Sequence, residues 1–317
     1  MKRLGILAAV FVALVLILIV QQVQRRKIVV AGPAETIQVD PEKVTRVAIR
    51  TQDGRVELER MGSEWKLTQP VEYPANADLV NGMLKAVQEL DLVDVISSNP
   101  GTRSTYQVDS TGTTVEVWTG DKQALGLVVG KSTSDWSHTF VRHVDGNDVY
   151  RADGVLTHQF NRRADDWRDK TILNLDEPAI HSVVISYPKE RKQFAVVRSD
   201  STHWGVRTAA GTTQPGDSLT IARLVSSAAR LMTVNFATPA EAAAADFTQP
   251  DFRLAVEAGG TTQAVDFVSV DDTKMLARVG GKDTVFSLYK SNLGNIMKTE
   301  KEILTGKSDA AAGAKKT

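Results

Sequence analysis

The chain has 317 residues, of which 42% are apolar and 24% charged, a composition typical of folded globular domains and long enough for two of them. It contains no cysteine, which excludes disulfides, thiolate metal sites, a cysteine nucleophile and lipid attachment through an N-terminal cysteine. Five of the 38 basic residues lie in the first 27 positions, which hold no acidic residue, so the remaining chain carries a net charge of −5 and is unsuited to nucleic acid as a partner.

The first predicted element is a membrane-spanning helix over residues 4–20, an unbroken run of apolar residues and glycine. At about 1.5 Å per residue the run spans about 25 Å, slightly less than a hydrocarbon core of about 30 Å. We predict an uncleaved signal anchor over residues 1–27, which makes the lipid bilayer a partner of the chain through residues 4–20. The alternative is a cleaved signal peptide, whose apolar core is normally shorter, about 7 to 15 residues.

Flanking charges do not set the orientation of this helix. Lys2 and Arg3 precede it, and Arg25, Arg26 and Lys27 follow it. Basic residues favour the cytoplasmic side of a membrane, and here the two sides are balanced. A short N-terminal tail followed directly by the apolar run is the usual layout of a signal anchor, so we expect the C-terminal region outside the cytoplasm.

Two halves of the chain after this segment carry the same series of patterns, offset by 136 to 140 residues. Each half has an apolar strand, a polar hairpin, a strand with a tryptophan, an amphipathic helix and further strands. The corresponding segments are 44–49 and 180–185, Trp65 and Trp204, the helices 78–93 and 218–234, and the strands 113–120 and 252–259. Because chance does not preserve such spacing, the pattern predicts an internal duplication.

The predicted fold class is α+β, with two tandem copies of a β-rich unit behind a single N-terminal transmembrane helix. Each copy is expected to have about seven strands and one long helix. We place the first copy at residues 37–153 and the second at 179–298, joined by a helical charged linker at 154–178. Residues 299–317 are rich in Ala, Gly and Lys, and we predict a disordered tail there.

The densest run of charge lies in the linker, at residues 161–170, where basic and acidic residues alternate. Mixed charge at this spacing is typical of a solvated helix with local ion pairs. The alternative is a contact surface for a partner or for the neighbouring copy, packed around an aromatic anchor. The residues of this candidate surface are Arg162, Arg163, Asp166, Trp167 and Arg168.

Tryptophans offer a second candidate site. Trp65 and Trp204 occupy the same place in both copies, and we expect them in the cores because an active site is rarely duplicated so symmetrically. Trp118 and Trp136 fall in less regular surroundings. We expect these two to line an inter-repeat groove, where a small ligand could bind.

Motifs for catalysis, metal binding and nucleotide binding are missing from the sequence. Residues 128–135 read VVGKSTSD, but Leu125 stands where a phosphate-binding loop needs glycine, and the segment continues as a strand. His138 and His143 are five apart on a predicted strand, so they point to opposite faces and do not chelate one ion. We therefore predict a non-enzymatic protein with no catalytic residues, no metal site and no cofactor.

The order of these elements resembles the bacterial family of domain of unknown function 4340. The resemblance covers most of residues 40–300 and rests on EWKL at Trp65, a loop between Pro70 and Pro74, a capped helix, the strand Phe140-Val141-Arg142 and the later Arg168-Asp169-Lys170. The family reads Tyr-Val-Arg where this chain has Phe-Val-Arg. The resemblance implies a bacterial envelope protein with an N-terminal anchor. Together with the orientation expected above, it predicts a single-pass protein of the bacterial inner membrane with a periplasmic C-terminal region. Relatives of this kind are linked to ABC-type export or gliding-motility-like transporter systems, and the resemblance supplies no catalytic residues.

Three functions remain open at this stage. The leading hypothesis is a non-enzymatic, membrane-anchored envelope protein that serves as an accessory or interaction subunit of a membrane complex, such as an ABC-type transporter, with a membrane protein as its partner. The second is a periplasmic module that binds a glycan or a lipid. The third is a hydrolase, for which the sequence names no catalytic groups.

Overall fold

The computed structural model describes residues 35–200 and 203–307, so the predicted anchor at residues 4–20 lies outside the described residues. Within those two ranges, no helix has the length and apolar character that crossing a membrane requires. The chain divides into two compact units, which meet in the sequence between Asp169 and Lys170. This boundary falls inside the segment that the sequence predicts to be a linker.

Unit 1 is built on a ten-stranded sheet whose neighbouring strands all run antiparallel. The order across the sheet is first-sixth-tenth-ninth-eighth-seventh-second-third-fourth-fifth. Its strands are β1 Glu35–Thr36, β2 Arg46–Thr51, β3 Gly54–Met61, β4 Glu64–Gln69, β5 Tyr73–Pro74, β6 Asp91–Ser97, β7 Thr113–Thr119, β8 Lys122–Ser132, β9 His138–His143 and β10 Val149–Asp153, and its helices are α1 Ala77–Gln88, α2 Arg103–Tyr106 and α3 Thr157–Phe160.

Unit 2 has a nine-stranded antiparallel sheet and a separate pair of strands. Its strands are β11 Thr171–Asn174, β12 Ile180–Tyr187, β13 Lys192–Arg198, β14 Trp204–Arg207, β15 Thr213–Pro215, β16 Arg230–Met232, β17 Asn235–Phe236, β18 Phe252–Ala258, β19 Thr261–Ser269, β20 Lys274–Val279 and β21 Val285–Tyr289, and its helices are α4 Ser218–Ala229, α5 Pro239–Ala244 and α6 Glu300–Thr305. The sheet order is β15-β14-β13-β12-β18-β19-β20-β21-β17, and β11 pairs with β16.

The two sheets have one topology. In unit 1 the order β5-β4-β3-β2-β7-β8-β9-β10-β6 matches the order in unit 2 strand for strand, and one long helix follows β5 in unit 1 and β15 in unit 2 along the chain. The predicted α+β class and the repeated order of elements are therefore confirmed at this level. The predicted count of about seven strands per copy is too low, because it omits the short edge strands β5 and β15 and the strands that follow each helix.

Both long helices end earlier than predicted. Helix α1 ends at Gln88 and α4 at Ala229, and a strand begins within three residues of each end. The segment after α1 carries Val93, Val95 and Ile96, whose branched side chains favour a strand that pairs with β10. Periodic apolar residues beyond the helix ends thus belong to the sheet and not to the helices.

A polar side chain caps the start of each long helix. The Asn76 side chain accepts a hydrogen bond from the N–H of Leu79 at 3.1 Å, and Asp217 accepts one from Thr220 at 2.8 Å. Such caps satisfy backbone donors that have no partner inside the helix. The cap therefore fixes where α1 and α4 begin against their sheets.

A helical turn at the end of each unit closes over that capped start. The N–H of Asn76 donates to the carbonyl oxygen of Trp167 at 2.8 Å, and the N–H of Asp217 donates to that of Ile303 at 2.8 Å. Trp167 and Ile303 are both fully buried. The two halves thus repeat even this contact between the end of the unit and its long helix.

These closing turns correct two predicted boundaries. Residues 154–169 of the predicted linker complete unit 1, and Thr171–Asn174 is the first strand of unit 2. The predicted disordered tail starts too early, because Glu300–Thr305 is a helix with a capping box and a buried Ile303. Both segments are mostly polar, and a few apolar side chains carry the packing, namely Leu156, Phe160 and Trp167 in the first and Ile303 in the second.

Candidate functional site

The predicted partner surface at residues 162–168 is only partly on the surface. Trp167 is fully buried in the core of unit 1, while the Arg163 side chain is 67% exposed. Arg162 and Asp166 are half-buried, and Asp166 lies 3.6 Å from the Arg163 guanidinium. The aromatic anchor of the predicted surface therefore packs inward and is not available to a partner.

Arg168, the last residue of that candidate surface, is held by its own unit. Its guanidinium donates to the Asp165 carboxylate at 3.0 Å and lies 4.4 Å from the ring centre of Tyr73. Its side chain is 13% exposed. The five predicted residues are thus divided between core, intramolecular ion pairs and solvent, and their role in binding a partner stays a prediction.

The family-like motif Phe140-Val141-Arg142 is structural. Arg142 is buried, and its guanidinium donates to the carbonyl oxygens of Val108, His143, Val144 and Gly146 at 2.7 to 3.0 Å. One arginine thereby satisfies backbone acceptors from two loops that would otherwise be buried without partners. This use explains the residue without a catalytic role.

An arginine–tryptophan pair recurs in both units. Arg60 lies opposite Trp65 on β3 and β4, and Arg198 lies opposite Trp204 on β13 and β14, with each guanidinium stacked on its ring at 5.0 and 4.7 Å. Trp65 is buried as predicted, whereas Trp204 is half-buried beside a cavity of about 810 Å³. The pair is part of the repeated scaffold.

Trp118 is half-buried on β7, and Arg46, its partner on β2, stacks on its ring at 3.9 Å. Trp136 lies elsewhere in the same unit, in the loop between β8 and β9. The recess that Trp136 borders does not include Trp118. The structure therefore does not bring these two tryptophans together, and their place in an inter-repeat groove stays a prediction.

Trp136 has the most exposed side chain among the large apolar residues of the described chain, at 66%. It sits in the loop of residues 133–138, called here the Trp136 tip. Its backbone φ is +57°, in the left-handed region that a bulky residue rarely adopts. Such strain persists only where surrounding contacts enforce it, and it clusters at functional sites.

Asp135 holds the Trp136 tip in shape. Its carboxylate accepts hydrogen bonds from the Thr133 hydroxyl at 2.5 Å, from the Ser137 hydroxyl at 2.7 Å and from the Ser137 N–H at 3.2 Å. These bonds, the Thr133 hydroxyl first and Ser137 next, hold the pKa of Asp135 well below its usual range. The tip is thus a preformed loop that carries one exposed aromatic ring.

Ser137, His138 and Asp153 form a chain of polar contacts beside the tip. The Ser137 hydroxyl lies 2.6 Å from His138 Nδ1, and His138 Nε2 lies 3.1 Å from the Asp153 carboxylate. A serine nucleophile must give its single proton to the histidine, but the Ser137 hydroxyl also lies 2.7 Å from the Asp135 carboxylate. The chain of contacts therefore braces the loop and does not present an activated serine.

A recess of about 520 Å³ lies beside the Trp136 ring. Its walls include residues with neutral polar side chains from three segments of unit 1, namely Gln107, Ser132, Ser134, Thr157 and Asn161. Gln107 also has a left-handed backbone, with φ at +57°. Two of the three non-glycine residues with positive φ in the described chain thus border this one recess.

Unit 2 supplies an internal comparison for the Trp136 tip. The equivalent loop, between β19 and β20, is closed by a hydrogen bond from the N–H of Val270 to the Lys274 carbonyl, as Thr133 and His138 close the tip. Asp271 again accepts local bonds, from Thr273 and Lys274. This loop has no tryptophan and no non-glycine residue with positive φ. The fold therefore does not require Trp136.

Sequence reasoning named Trp136 but missed the recess and its other walls. Gln107 and Asn161 come from loops with no periodic pattern, and only the folded chain brings them to the tip. Within the described residues, no group of three or more His, Asp or Glu side chains is placed to hold a metal ion. The Asp135 and Ser137 pattern around Trp136 was the one local signal of a braced turn.

A family model described as Domain of unknown function (DUF4340) matches residues 65–250, which is more than half of the chain. The match runs across the boundary between the two units and includes the Trp136 tip. No curated protein and no solved structure matches the chain.

Proposed function

The chain belongs to the DUF4340 family, and from this premise we propose that it is a non-enzymatic, membrane-anchored recognition subunit of the bacterial envelope. In this proposal residues 4–20 tether it to the inner membrane, the described units lie in the periplasm, and the protein serves a membrane complex such as an ABC-type transporter. Its recognition site is the Trp136 tip with the recess beside it.

One observation carries the proposal, which is the strained and braced display of Trp136. An exposed tryptophan with a left-handed backbone gives the folded unit little packing and costs backbone strain. The matching loop of unit 2 does without it. Tryptophan is also the residue type most enriched at positions that dominate binding energy, and a preformed loop lowers the entropic cost of binding.

The test is crosslinking from position 136 in intact membranes. A photoreactive amino acid replaces Trp136 in the full-length chain, and mass spectrometry identifies what is captured. The matched control carries the same amino acid at Leu219, an apolar residue of unit 2 that is 60% exposed. We expect a specific adduct with an envelope component from position 136. Equal labelling from the two positions, or none from 136, would contradict the proposal.

A hydrolase is the second candidate, because Ser137, His138 and Asp153 lie within hydrogen-bond distance in series. The competing contact between Ser137 and Asp135 disfavours it. A fluorophosphonate probe labels only activated serines, and we expect no labelling of the purified chain. Labelling that disappears in Ser137→Ala would overturn the non-enzymatic assignment.

A further inference from the structure

We infer that the recess beside Trp136 is a carbohydrate-binding subsite that takes one or two neutral sugar units. This inference rests on the proposed function, because it assigns a ligand class to the same recognition site. It depends on three properties of the recess, which are an exposed aromatic face, neutral hydrogen-bonding groups around it, and a volume that suits a small ligand.

The first property is the exposed face of the Trp136 ring. A sugar ring has an apolar face of C–H groups, and a tryptophan ring exposed to 66% offers a flat surface on which such a face can pack. The left-handed backbone of Trp136 and the bonds to Asp135 fix the backbone from which the ring projects before a ligand arrives. Ordering of the loop therefore adds little cost to binding.

The second property is the chemistry of the walls. Hydroxyl and amide side chains both donate and accept hydrogen bonds, which matches the mixed donor and acceptor character of sugar hydroxyls. Among the described residues, the side chains of Gln107, Ser134 and Asn161 make no hydrogen bond to other parts of the chain. These three groups are available to a ligand without breaking an existing bond.

Charge and shape disfavour other ligand classes. Lys131 is the only lysine or arginine in the wall, which also contains His158, and Asp135 belongs to the Trp136 tip. A phosphate site needs a stronger cluster of cations or backbone N–H groups. A lipid tail needs enclosing apolar walls, whereas Trp136 is the one large apolar residue here. The volume of about 520 Å³ lies in the range of small-ligand sites.

The experiment measures binding of malto-, cello- and chito-oligosaccharides of two to four units to the full-length chain in detergent, by calorimetry and ligand-observed NMR. We expect at least one series to bind. Trp136→Asn removes the ring but keeps a residue that tolerates the left-handed backbone, and it should weaken binding about tenfold or more. Gln107→Gly removes an amide while keeping its backbone relaxed, and should also weaken binding.

The matched control is Met61→Ala, which removes another exposed apolar side chain of unit 1, far from the recess in sequence. This variant should bind sugar with unchanged affinity. Lack of binding by all three series, or equal binding by Trp136→Asn, would overturn the carbohydrate assignment.

Crosslinking from position 136 separates the two proposals. A glycan adduct supports both, a protein adduct alone overturns the carbohydrate assignment and leaves the recognition function standing, and the absence of any adduct overturns the recognition function.

Discussion

Substitution of Ile303 by alanine is expected to destabilise unit 2 specifically. The side chain is fully buried, and its backbone carbonyl accepts the N–H of Asp217 at the capped start of α4. Truncating a buried isoleucine to alanine costs about 2 to 5 kcal/mol, because the transfer energy is lost and a cavity remains. We take about 3 kcal/mol, since the short α6 at the end of the unit can partly collapse. Alanine has a slightly higher helix propensity than isoleucine, and this gain offsets only a small part of the lost stability.

Hydrogen exchange of the full-length chain, followed by mass spectrometry, measures this effect unit by unit. A loss of about 3 kcal/mol corresponds to exchange about a hundredfold faster for the amides of α4 that open with the unit. Helix α1 of unit 1 serves as the internal reference. The control Leu219→Ala removes an aliphatic side chain that is 60% exposed and should change the free energy of opening by less than about 0.5 kcal/mol. Unchanged exchange in α4, or an equal increase in α1, would refute the role assigned to Ile303.

Four further outcomes are expected. Trp167→Ala should destabilise unit 1 by about 3 to 5 kcal/mol, seen as faster exchange in α1, because it empties a fully buried site. Trp136→Asn should not lower the melting temperature of unit 1, because it relieves left-handed strain and removes little packing, and a clear drop would show that the ring is structural. Arg60→Ala should lower the free energy of unfolding, measured in denaturant, by about 1 to 3 kcal/mol, because Arg60 donates to two backbone carbonyls at 2.9 Å. Arg198→Ala should lower it less, because Arg198 donates to one carbonyl at 3.3 Å. The folded state lowers the pKa of Asp135 below its ordinary value of 3.8. The hydrogen bonds of its carboxylate therefore stabilise the tip above pH 3.8 and are lost only as the pH falls through the lower folded-state pKa. The NMR signal of the Trp136 indole N–H should accordingly be unchanged at pH 4 and shift only in stronger acid.

The order of elements along the chain was largely predictable because alternation of apolar residues and turn residues recurs in both halves. The repeated order of elements, the start of each long helix and the burial of Trp65 all follow from local patterns. The ends of the helices were not predictable in the same way. Leu90 continues the helical spacing three residues after Val87, and only pairing of β6 with β10 decides that the chain turns into a strand there.

The closing turns and the recess depend on contacts that are distant in sequence. Trp167 stands in a run of alternating charges, and no local rule reveals that its ring is fully buried while the charged residues on either side are only partly buried. Gln107 and Asn161 meet at the recess only because β8, α2 and α3 converge in the folded unit. Sequence patterns report which face of an element is apolar, but they do not report which loops meet.

The closing turns also have a consequence for the gene. Asp169 donates its N–H to Pro74 within unit 1, and the carbonyl of the next residue, Lys170, accepts the N–H of Thr233 within unit 2. The backbones of two consecutive residues thus bond to different units, and a coding segment that stops at 169 carries every strand and the closing turn of unit 1. The junction is accordingly the place to split the chain for separate expression, isotope labelling or replacement of one module by a copy of the other.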